Sequence, residues 1–404
     1  MIDIHNDRIL ILDGAMGTMI QRYGLTEEDY RKGPFSGCTK ELKGNNECLN
    51  LTHPEIIKAI HQEYIAAGAD IIETNTFSAN AISQSEYGCE DFASRMAFEG
   101  ARIAREAADE AQEIAAKVGL QRKVWVAGSI GPTSKSLSLS PDVADPAFRP
   151  YSFEQMKEAY RLQAEALLKG GAALLLIETC FDALNVKAAL AGIQEIVRER
   201  PLTTLAPSQL RWAPAPSRGW QNASSVIQPL PDNHAIPVMI SVSVGDRSGR
   251  TLTGQTLEAF YTSVCHYPIL TFGLNCSLGA AELMPLVEEI DKWCRCGVSC
   301  YPHAGLPNEM GGYDQSPEDM AAQIKAMASK GLVNIVGGCC GTTPAHIRAI
   351  ADAVKGLDAR KLSAETDHSV DRTLKVSGLE AVEVDLRHNN FTNVGERTNV
   401  AGSR

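Results

Sequence analysis

The sequence predicts one large α/β domain, a closed (β/α)8 TIM barrel, over most of the chain. Short apolar runs alternate with helical patterns, eight such units follow one another between residues 9 and 354, and most of the runs end in polar or glycine-rich residues. Strands separated by helices pair in parallel, and eight repeats are the number that closes a barrel. The chain has 404 residues, 44% of them hydrophobic, which is enough for a core of this size.

Each strand is predicted from an apolar run, and each helix from the pattern that follows it. The predicted strands are Ile9–Leu12, Ile71–Glu73, Val124–Ala127, Leu174–Ile177, Val238–Val242, Ile269–Leu274, Val298–Cys300 and Val333–Val336. The predicted helices are Pro54–Ala67, Asp91–Lys117, Phe153–Lys169, Ala183–Arg198, Leu257–Cys265, Ala280–Cys294, Pro317–Ser329 and Pro344–Val354. Together they place one barrel domain at residues 1–356.

Two segments fall outside the repeat. Residues 200–234 are rich in Pro, Ser and Ala and have no period, which predicts an irregular insertion between the fourth helix and the fifth strand. Residues 357–388 are polar and charged, as in a linker. The last run, 389–404, begins like a strand and predicts the truncated start of a further domain.

Charge and cysteine content exclude several classes of function. The net charge is −11 at pH 7, and no cluster of Lys and Arg stands out, which argues against nucleic acid or an anionic membrane surface as a partner. No apolar run is long enough for a transmembrane helix, and no signal peptide is recognisable. Eleven cysteines, an odd number, favour reduced thiols. We therefore expect a cytoplasmic protein.

Polar side chains follow the predicted strands at the point where each strand ends. In barrels of this type, the chemistry lies at the carboxyl ends of the strands, where all of these groups would face one mouth. The residues at these positions are Asp13, Asn75, Ser129, Glu178, Asn275, Cys276, Cys339 and Cys340.

Three cysteines at one mouth predict a zinc site. Thiolates are ligands that zinc prefers, and a catalytic zinc has three protein ligands and one open position. Glycines flank Cys339 and Cys340, which allows two adjacent side chains to turn toward one point. The alternatives are inert buried thiols and a competing cluster in "CRCGVSC", whose sulfurs we expect to diverge.

The remaining polar residues have both functional and structural interpretations. Asp13 and Glu178 could bind an ammonium group, or could be buried carboxylates satisfied by backbone N–H groups. Asn75, Ser129 and Asn275 could contact a ligand or connect loops. His303 and His346 are interpreted as structural or exposed.

A phosphate site is a further alternative. Gly337 and Gly338, before a helix, would also suit a phosphate site, although the neighbouring thiols would contribute nothing to phosphate binding.

A set of motifs, in order along the chain, carries a family resemblance: "LDGAMGTMIQ", "ELKGNN", "GADIIETNTF", "GSIGPT", "LLIETCFDALNVKAAL", "SGRTLTGQT", "GLNCSLG", "HAGLPN" and "NIVGGCCGTTP". They closely resemble the homocysteine-binding module of cobalamin-dependent methionine synthases, over nearly all of residues 5–356. The terminal "NVGERTNVAGSR" resembles the opening strand of the pterin-binding domain of the same enzymes. The insertion at 200–234 departs from the family pattern.

The resemblance implies a zinc site at Cys276, Cys339 and Cys340, with the homocysteine sulfur as fourth ligand and Asp13, Gly14 and Glu178 near the polar end of the amino acid. It implies methyl transfer from methylcobalamin, which a separate domain would hold and 5-methyltetrahydrofolate would recharge. The fragment alone would be incomplete for that cycle. Two alternatives stay open: a stand-alone methyltransferase that uses betaine or S-methylmethionine, and a non-catalytic zinc-stabilised scaffold.

Overall fold

The structure is a computed structural model that describes residues 8–199, 236–305, 313–362, 373–386 and 391. The predicted insertion at 200–234 lies outside the described residues. So does the predicted domain start at 389–404, apart from residue 391.

Eight parallel strands form the centre of the molecule. They pair in the order β1-β8-β7-β6-β5-β4-β3-β2, and a further parallel bridge between Leu12 and Ile71 joins β1 to β2. The ring is therefore closed, and the predicted (β/α)8 barrel is confirmed. The strands are β1 (Leu10–Ile11), β2 (Ile71–Glu73), β3 (Trp125–Ile130), β4 (Leu174–Cys180), β5 (Val238–Val242), β6 (Ile269–Gly279), β7 (Gly297–His303) and β8 (Ile335–Val336).

The helices surround the strands. In chain order they are α1 (Met16–Gln21), α2 (Glu27–Tyr30), α3 (Leu49–Thr52), α4 (Pro54–Ala67), α5 (Ala81–Gln84), α6 (Ala93–Lys117), α7 (Phe153–Gly170), α8 (Ala183–Glu199), α9 (Leu257–Val264), α10 (Ala280–Trp293), α11 (Pro317–Ser329) and α12 (Pro344–Val354). Short 3₁₀ turns occur at Gly33–Phe35, Asn46–Cys48 and Glu90–Phe92. Among the helices that the structure describes, none combines the length and apolar character needed to cross a membrane.

Local sequence signals determine where the helices begin and end. Helix α7 begins after Ser152, whose hydroxyl accepts the Gln155 N–H while the Gln155 side chain accepts the Ser152 N–H, a capping box. It ends at Gly171, whose φ of 104° lies in the left-handed region that favours glycine. Helix α4 begins with Pro54, and Gly68, with φ 116°, follows its last residue.

The apolar core has two layers, one inside the barrel and one between strands and helices. Alternate strand residues point to opposite faces, so each strand contributes to both layers. The inner layer consists of the buried residues Leu10, Leu12, Ile71, Ala127, Leu174, Leu176, Met239, Leu270, Tyr301 and Ile335. This packed interior supports the polar groups that lie above it at the barrel mouth.

Two features differ from the sequence-based expectation. Strands β3, β4, β6 and β7 extend beyond their predicted ends, to Ile130, Cys180, Gly279 and His303. Ser129, Glu178 and Cys276 therefore lie within strands. The predicted linker at 357–388 contains an antiparallel hairpin of β9 (Thr373–Ser377) and β10 (Ala381–Asp385).

The hairpin contacts the region around α9. The Thr256 N–H donates to the Leu379 carbonyl at 2.9 Å, the Ser263 and Ser377 hydroxyl oxygens lie 2.9 Å apart, and Arg250 pairs with Glu380. This part of the predicted linker therefore has regular structure and contacts the barrel domain. The division of the chain into domains stays a prediction.

Gly273 in β6 offers a direct test of the barrel packing. A Cβ at this position would lie 1.8 Å from the Ser299 carbonyl oxygen in β7. We expect Gly273→Ala to lower the free energy of unfolding by about 3 kcal/mol or more, because backbone on the neighbouring strand has to move. Denaturant unfolding measures this. Gly37→Ala, where a Cβ meets nothing within 4 Å, is the control. Equal stability of the two variants would contradict the register of β6 and β7.

Candidate metal centre

Three sulfurs from distant parts of the sequence meet at the barrel mouth. Cys276 lies in β6, whereas Cys339 and Cys340 follow β8. The Cys276 Sγ lies 2.9 Å from the Cys339 Sγ and 3.7 Å from the Cys340 Sγ, and the Cys339 and Cys340 sulfurs are 4.0 Å apart. The convergence predicted from strand ends is present in the structure.

The backbone around each cysteine explains the convergence. Cys276 and Ser277 both adopt positive φ, 59° and 62°, which turns the end of β6 and is unfavourable for residues other than glycine. After β8, Gly341 has φ 80°, and the Thr342 hydroxyl donates to the Cys339 carbonyl at 2.6 Å. This tight turn places the two adjacent thiols on one side, as the flanking glycines suggested.

His303, interpreted as structural or exposed from the sequence, joins this group. It is the last residue of β7, and its Nε2 lies 3.0 Å from the Cys276 Sγ. The same Nε2 lies 3.1 Å from the Ser277 N–H, which donates to it. The donor atoms of Cys276, His303, Cys339 and Cys340 all lie within 4.8 Å of one another. His303 is therefore a candidate fourth ligand as well as the acceptor of a structural hydrogen bond, and its position at a strand end was a usable signal.

The donor set fits zinc. Four ligands at a Zn–S distance of about 2.3 Å in a tetrahedron are separated by about 3.8 Å. Two of the three sulfur–sulfur distances, 3.7 and 4.0 Å, match this spacing. The third, 2.9 Å, is shorter, so one sulfur would move outward. Soft sulfur and imidazole ligands favour zinc over magnesium or calcium.

The pKa shifts of the thiols also indicate that the cluster favours a bound cation. Hydrogen bonds from Cys276 and Cys339, followed by one from His303, lower the pKa of the Cys340 thiol. Hydrogen bonds with Cys276 and Cys340 raise the pKa of Cys339 well above its ordinary value. One thiolate is thus stabilised at the expense of its neighbours. Ionisation of all three sulfurs requires a positive charge among them.

Three carboxyl groups line the same mouth. Asp13 and Glu178 are 2% and 5% exposed. The Asp13 Oδ2 accepts the Glu73 N–H at 3.0 Å, whereas its Oδ1 is buried and has no hydrogen-bond partner among the described residues. Burial raises the pKa of Glu178 to about 7, and raises the pKa of Asp13 and of Glu73 well above their usual values. Sequence reasoning missed Glu73, although it ends β2 at this mouth.

The other predicted site residues mostly hold the loops together. The Ser129 hydroxyl donates to the Glu178 carboxylate. The Asn275 side chain bonds Thr179 twice, through its Oδ1 at 3.0 Å and its Nδ2 at 2.9 Å. The Asn75 Nδ2 donates to the Asn46 carbonyl at 2.8 Å and to the Asn50 Oδ1 at 3.0 Å. Both protons of the Asn75 amide are therefore engaged within the protein.

Gly14 allows the first loop to approach the cysteine loop. A Cβ on Gly14 would lie 2.7 Å from the Thr342 Oγ1 and 2.9 Å from the Tyr64 Cε1. Thr342 also accepts the Ala15 N–H at 3.1 Å. A side chain at position 14 would separate Asp13 from the cysteines, which explains a glycine here.

The phosphate alternative is not supported. The N–H groups of Gly337, Gly338 and Cys339 already donate to the carbonyls of Cys300, Asp13 and Pro302, at 3.3, 3.1 and 2.8 Å. Backbone donors that are already engaged are not available to cradle a phosphate.

The competing cysteine cluster is only partly as expected. The Cys294 and Cys296 sulfurs lie 3.5 Å apart rather than diverging, which corrects the prediction for this pair. Within the described part of the chain, only the mouth cluster brings three or more ligand atoms together.

His346 is structural, as expected: its Nδ1 contacts Thr343 and its Nε2 contacts the Gln315 carbonyl oxygen at 3.0 Å.

The fold and the site define a (β/α)8-barrel protein with a cluster of cysteines and a histidine at the carboxyl ends of its strands that could hold a metal ion. Residues 10–354 match the family model described as homocysteine S-methyltransferase. The chain therefore belongs to the homocysteine S-methyltransferase family, and its class of activity is methyl transfer.

Solved structures share this fold. The homocysteine methyltransferase MmuM from Escherichia coli, in its metallated form, is 20% identical with a TM-score of 0.60, and the match covers 86% of this chain and 96% of that chain. The oxidized form matches at 20% identity and a TM-score of 0.59, over 85% and 95% of the two chains. Similarity at this level of identity shows the common architecture.

Zinc content tests the assignment of the sulfur ligands. We expect the purified wild type to hold about one zinc ion per chain, and Cys340→Ser to lose most of it, because a hydroxyl is a far weaker zinc ligand than a thiolate. Elemental analysis after dialysis measures this. Cys265→Ser, at a half-buried cysteine outside the cluster, is the matched control. Full zinc in Cys340→Ser would contradict the assignment.

Proposed function

We propose that this chain binds homocysteine and activates its thiol for S-methylation to methionine, with zinc held by Cys276, Cys339 and Cys340. The observation that carries the proposal is that metal-binding sulfurs and unpaired buried carboxylate oxygens share one mouth. A small amino acid with a thiol at one end and an ammonium group at the other matches these two features.

The carboxylates would bind the ammonium group. Asp13 and Glu178 are buried, and each has a pKa raised by burial, so a cation that enters between them restores the ionised form. Ser129 orients Glu178 through its hydroxyl. Gly14 keeps Asp13 close to the cysteine loop, and Asn275 connects the end of β4 to that loop, with its Nδ2 3.9 Å from the Cys339 Sγ.

The sulfurs would receive the thiol end. Zinc bound there would stabilise the thiolate form of a sulfur ligand, which is nucleophilic at neutral pH. The protein itself would supply proximity and orientation, since methyl transfer to sulfur needs an in-line approach of the donor. Fixing the amino acid at both ends would leave one face of its sulfur open toward the mouth.

For the methyl donor, we propose methylcobalamin, held by a cobalamin-binding domain and recharged from 5-methyltetrahydrofolate on a pterin-binding domain. The ordered motifs from "LDGAMGTMIQ" to "NIVGGCCGTTP" support this choice. The second candidate is a stand-alone methyltransferase that uses S-methylmethionine or betaine. The extent of the fold likeness to MmuM, which covers nearly all of that chain, favours it.

We propose a cytoplasmic location. All eleven cysteines, each within the described ranges, are free thiols, which suits a reducing compartment.

Removal of one mouth carboxylate tests homocysteine recognition. We expect Asp13→Asn and Glu178→Gln each to raise the homocysteine dissociation constant by about 10- to 100-fold, the loss of one hydrogen bond to a charged group. Isothermal titration with zinc-loaded protein measures this. Asp142→Asn, an exposed carboxylate on the loop after β3, is the control. Unchanged affinity in both variants, with zinc retained, would contradict the proposed substrate orientation.

X-ray absorption at the zinc edge tests the role of His303. We expect three sulfur ligands and one imidazole nitrogen in the substrate-free wild type, and loss of the imidazole multiple-scattering signal in His303→Ala, since the His303 Nε2 lies 3.0 Å from the Cys276 Sγ. With homocysteine added, four sulfurs are expected in both proteins. An imidazole signal that persists in His303→Ala would show that His303 is not the ligand.

A comparison of donors separates the two candidate functions. Zinc-loaded protein with homocysteine is expected to form methionine from free methylcobalamin, and to form none from S-methylmethionine or betaine. Cys340→Ser is the negative control for each donor. Methionine formed from S-methylmethionine or betaine alone would favour the stand-alone enzyme instead.

A further inference from the structure

A second group of cysteines lies away from the metal centre. Cys38 is half-buried and follows the Gly33–Phe35 turn, whereas Cys89 is fully buried and precedes the Glu90–Phe92 turn. Their sulfurs are 3.7 Å apart. Cys48 is also fully buried and interacts with Cys89. None of these thiols takes part in the chemistry proposed above.

The surrounding contacts hold the two sulfurs together. The side-chain amides of Asn45 and Gln84 donate to each other, at 2.8 and 3.0 Å. The Lys40 ammonium donates to the carbonyls of Ser85 and Glu86, both at 2.9 Å. The loop that carries Cys38 and the loop that carries Cys89 are therefore held together by bonds that lie after Cys38 and before Cys89 in the chain.

A metal does not account for this group. Within the residues that the structure describes, the mouth cluster alone has three donors mutually close enough for one ion. Two sulfurs at 3.7 Å have to approach by only about 1.6 Å to reach the disulfide bond length. This approach requires side-chain rotation together with a small shift of the loop that carries Cys38, which lies outside the helices and strands.

We propose that Cys38 and Cys89 form a reversible disulfide, a redox modification site that joins the loop after β1 to the loop after β2. Cys38, the more exposed thiol, reacts first with a low-molecular-weight disulfide such as glutathione disulfide. Cys89 lies behind it and is positioned to attack the mixed disulfide.

The reaction balances with that oxidant. The Cys38 thiolate attacks one sulfur of glutathione disulfide, forms a mixed disulfide, and releases one glutathione thiolate. The Cys89 sulfur, on losing its proton, attacks the Cys38 Sγ and displaces the second glutathione. Two electrons pass from the protein thiols to glutathione disulfide, and the two thiol protons end on the two released glutathione molecules. Burial raises the pKa of Cys89 to about 12, so the second step is expected to be the slower one.

The disulfide would alter the wall of the barrel mouth. The same two loops carry the Glu47 carboxylate, which accepts the Ser78 N–H at 2.6 Å, and the Asn46 carbonyl, which accepts from Asn75. A covalent bond between the loops would add to these hydrogen bonds and oppose separation of the loops. This proposal does not depend on the identity of the methyl donor or of the substrate.

Peptide mapping of the zinc-loaded full chain tests the proposal. Treatment with glutathione disulfide is expected to remove two hydrogen atoms from the protein mass and to give, after digestion without reduction, one linked peptide pair that contains Cys38 and Cys89. The zinc content should stay constant, and dithiothreitol should reverse the change. The closed loop should raise the Tm by roughly 5 °C or more.

Two variants complete the test. Cys38→Ser should lose the linked peptide and the Tm shift, and because Cys38 is only half-buried this variant is expected to fold. Cys265→Ser should behave as the wild type. The proposal is wrong if Cys38 accumulates as a stable glutathione adduct, if the linked pair joins other cysteines, or if Cys38→Ser shows the same Tm shift on oxidation.

Discussion

Closure of the parallel sheet is the constraint on which the rest of the structure depends. The bridge between Leu12 and Ile71 joins the first strand to the second and completes the ring, so the carboxyl ends of all eight strands face one rim. Cys276 and Cys339 are 63 positions apart, and their strands, β6 and β8, lie on either side of β7 in this ring. A sheet left open at this point would have the first and second strands at opposite edges, and Asp13 would then lie far from the Glu73 N–H that donates to it.

The polar groups at this rim are held in an environment that opposes their charges. The three thiols are hydrogen-bonded to one another, and burial raises the pKa of the carboxyl groups of Asp13, Glu73 and Glu178. Such an arrangement is costly in an empty site, and it becomes favourable when positive charge enters. A divalent ion at the sulfurs and an ammonium group at the carboxylates would offset both penalties. The two halves of the mouth would thus suit the proposed ligand, an amino acid with a thiol at one end and an ammonium group at the other.

The sequence was sufficient to predict the barrel architecture and the convergence of the three sulfurs. The first follows from the periodicity of apolar residues, and the second from the position of the strand ends. It was not sufficient for interactions that depend on which loops meet. Asn75 looked like a ligand contact, yet Asn46 and Asn50 engage its amide. His303 was set aside because three cysteines already satisfied the expected ligand number. The hairpin at 373–386 has alternating apolar residues, including Leu374 and Val376, but its charged neighbours favoured a linker.

The left-handed backbone at Cys276 and Ser277 has a thermodynamic consequence for the metal centre. Two non-glycine residues in this region cost about 1–3 kcal/mol each, and the surrounding β-ladder imposes that cost when the chain folds. Because the backbone already orients the Cys276 thiol, this ligand would lose little further conformational entropy when an ion binds. The fold would therefore supply part of the affinity for a metal ion in advance. A more relaxed turn would give a more stable apoprotein that binds the ion less tightly.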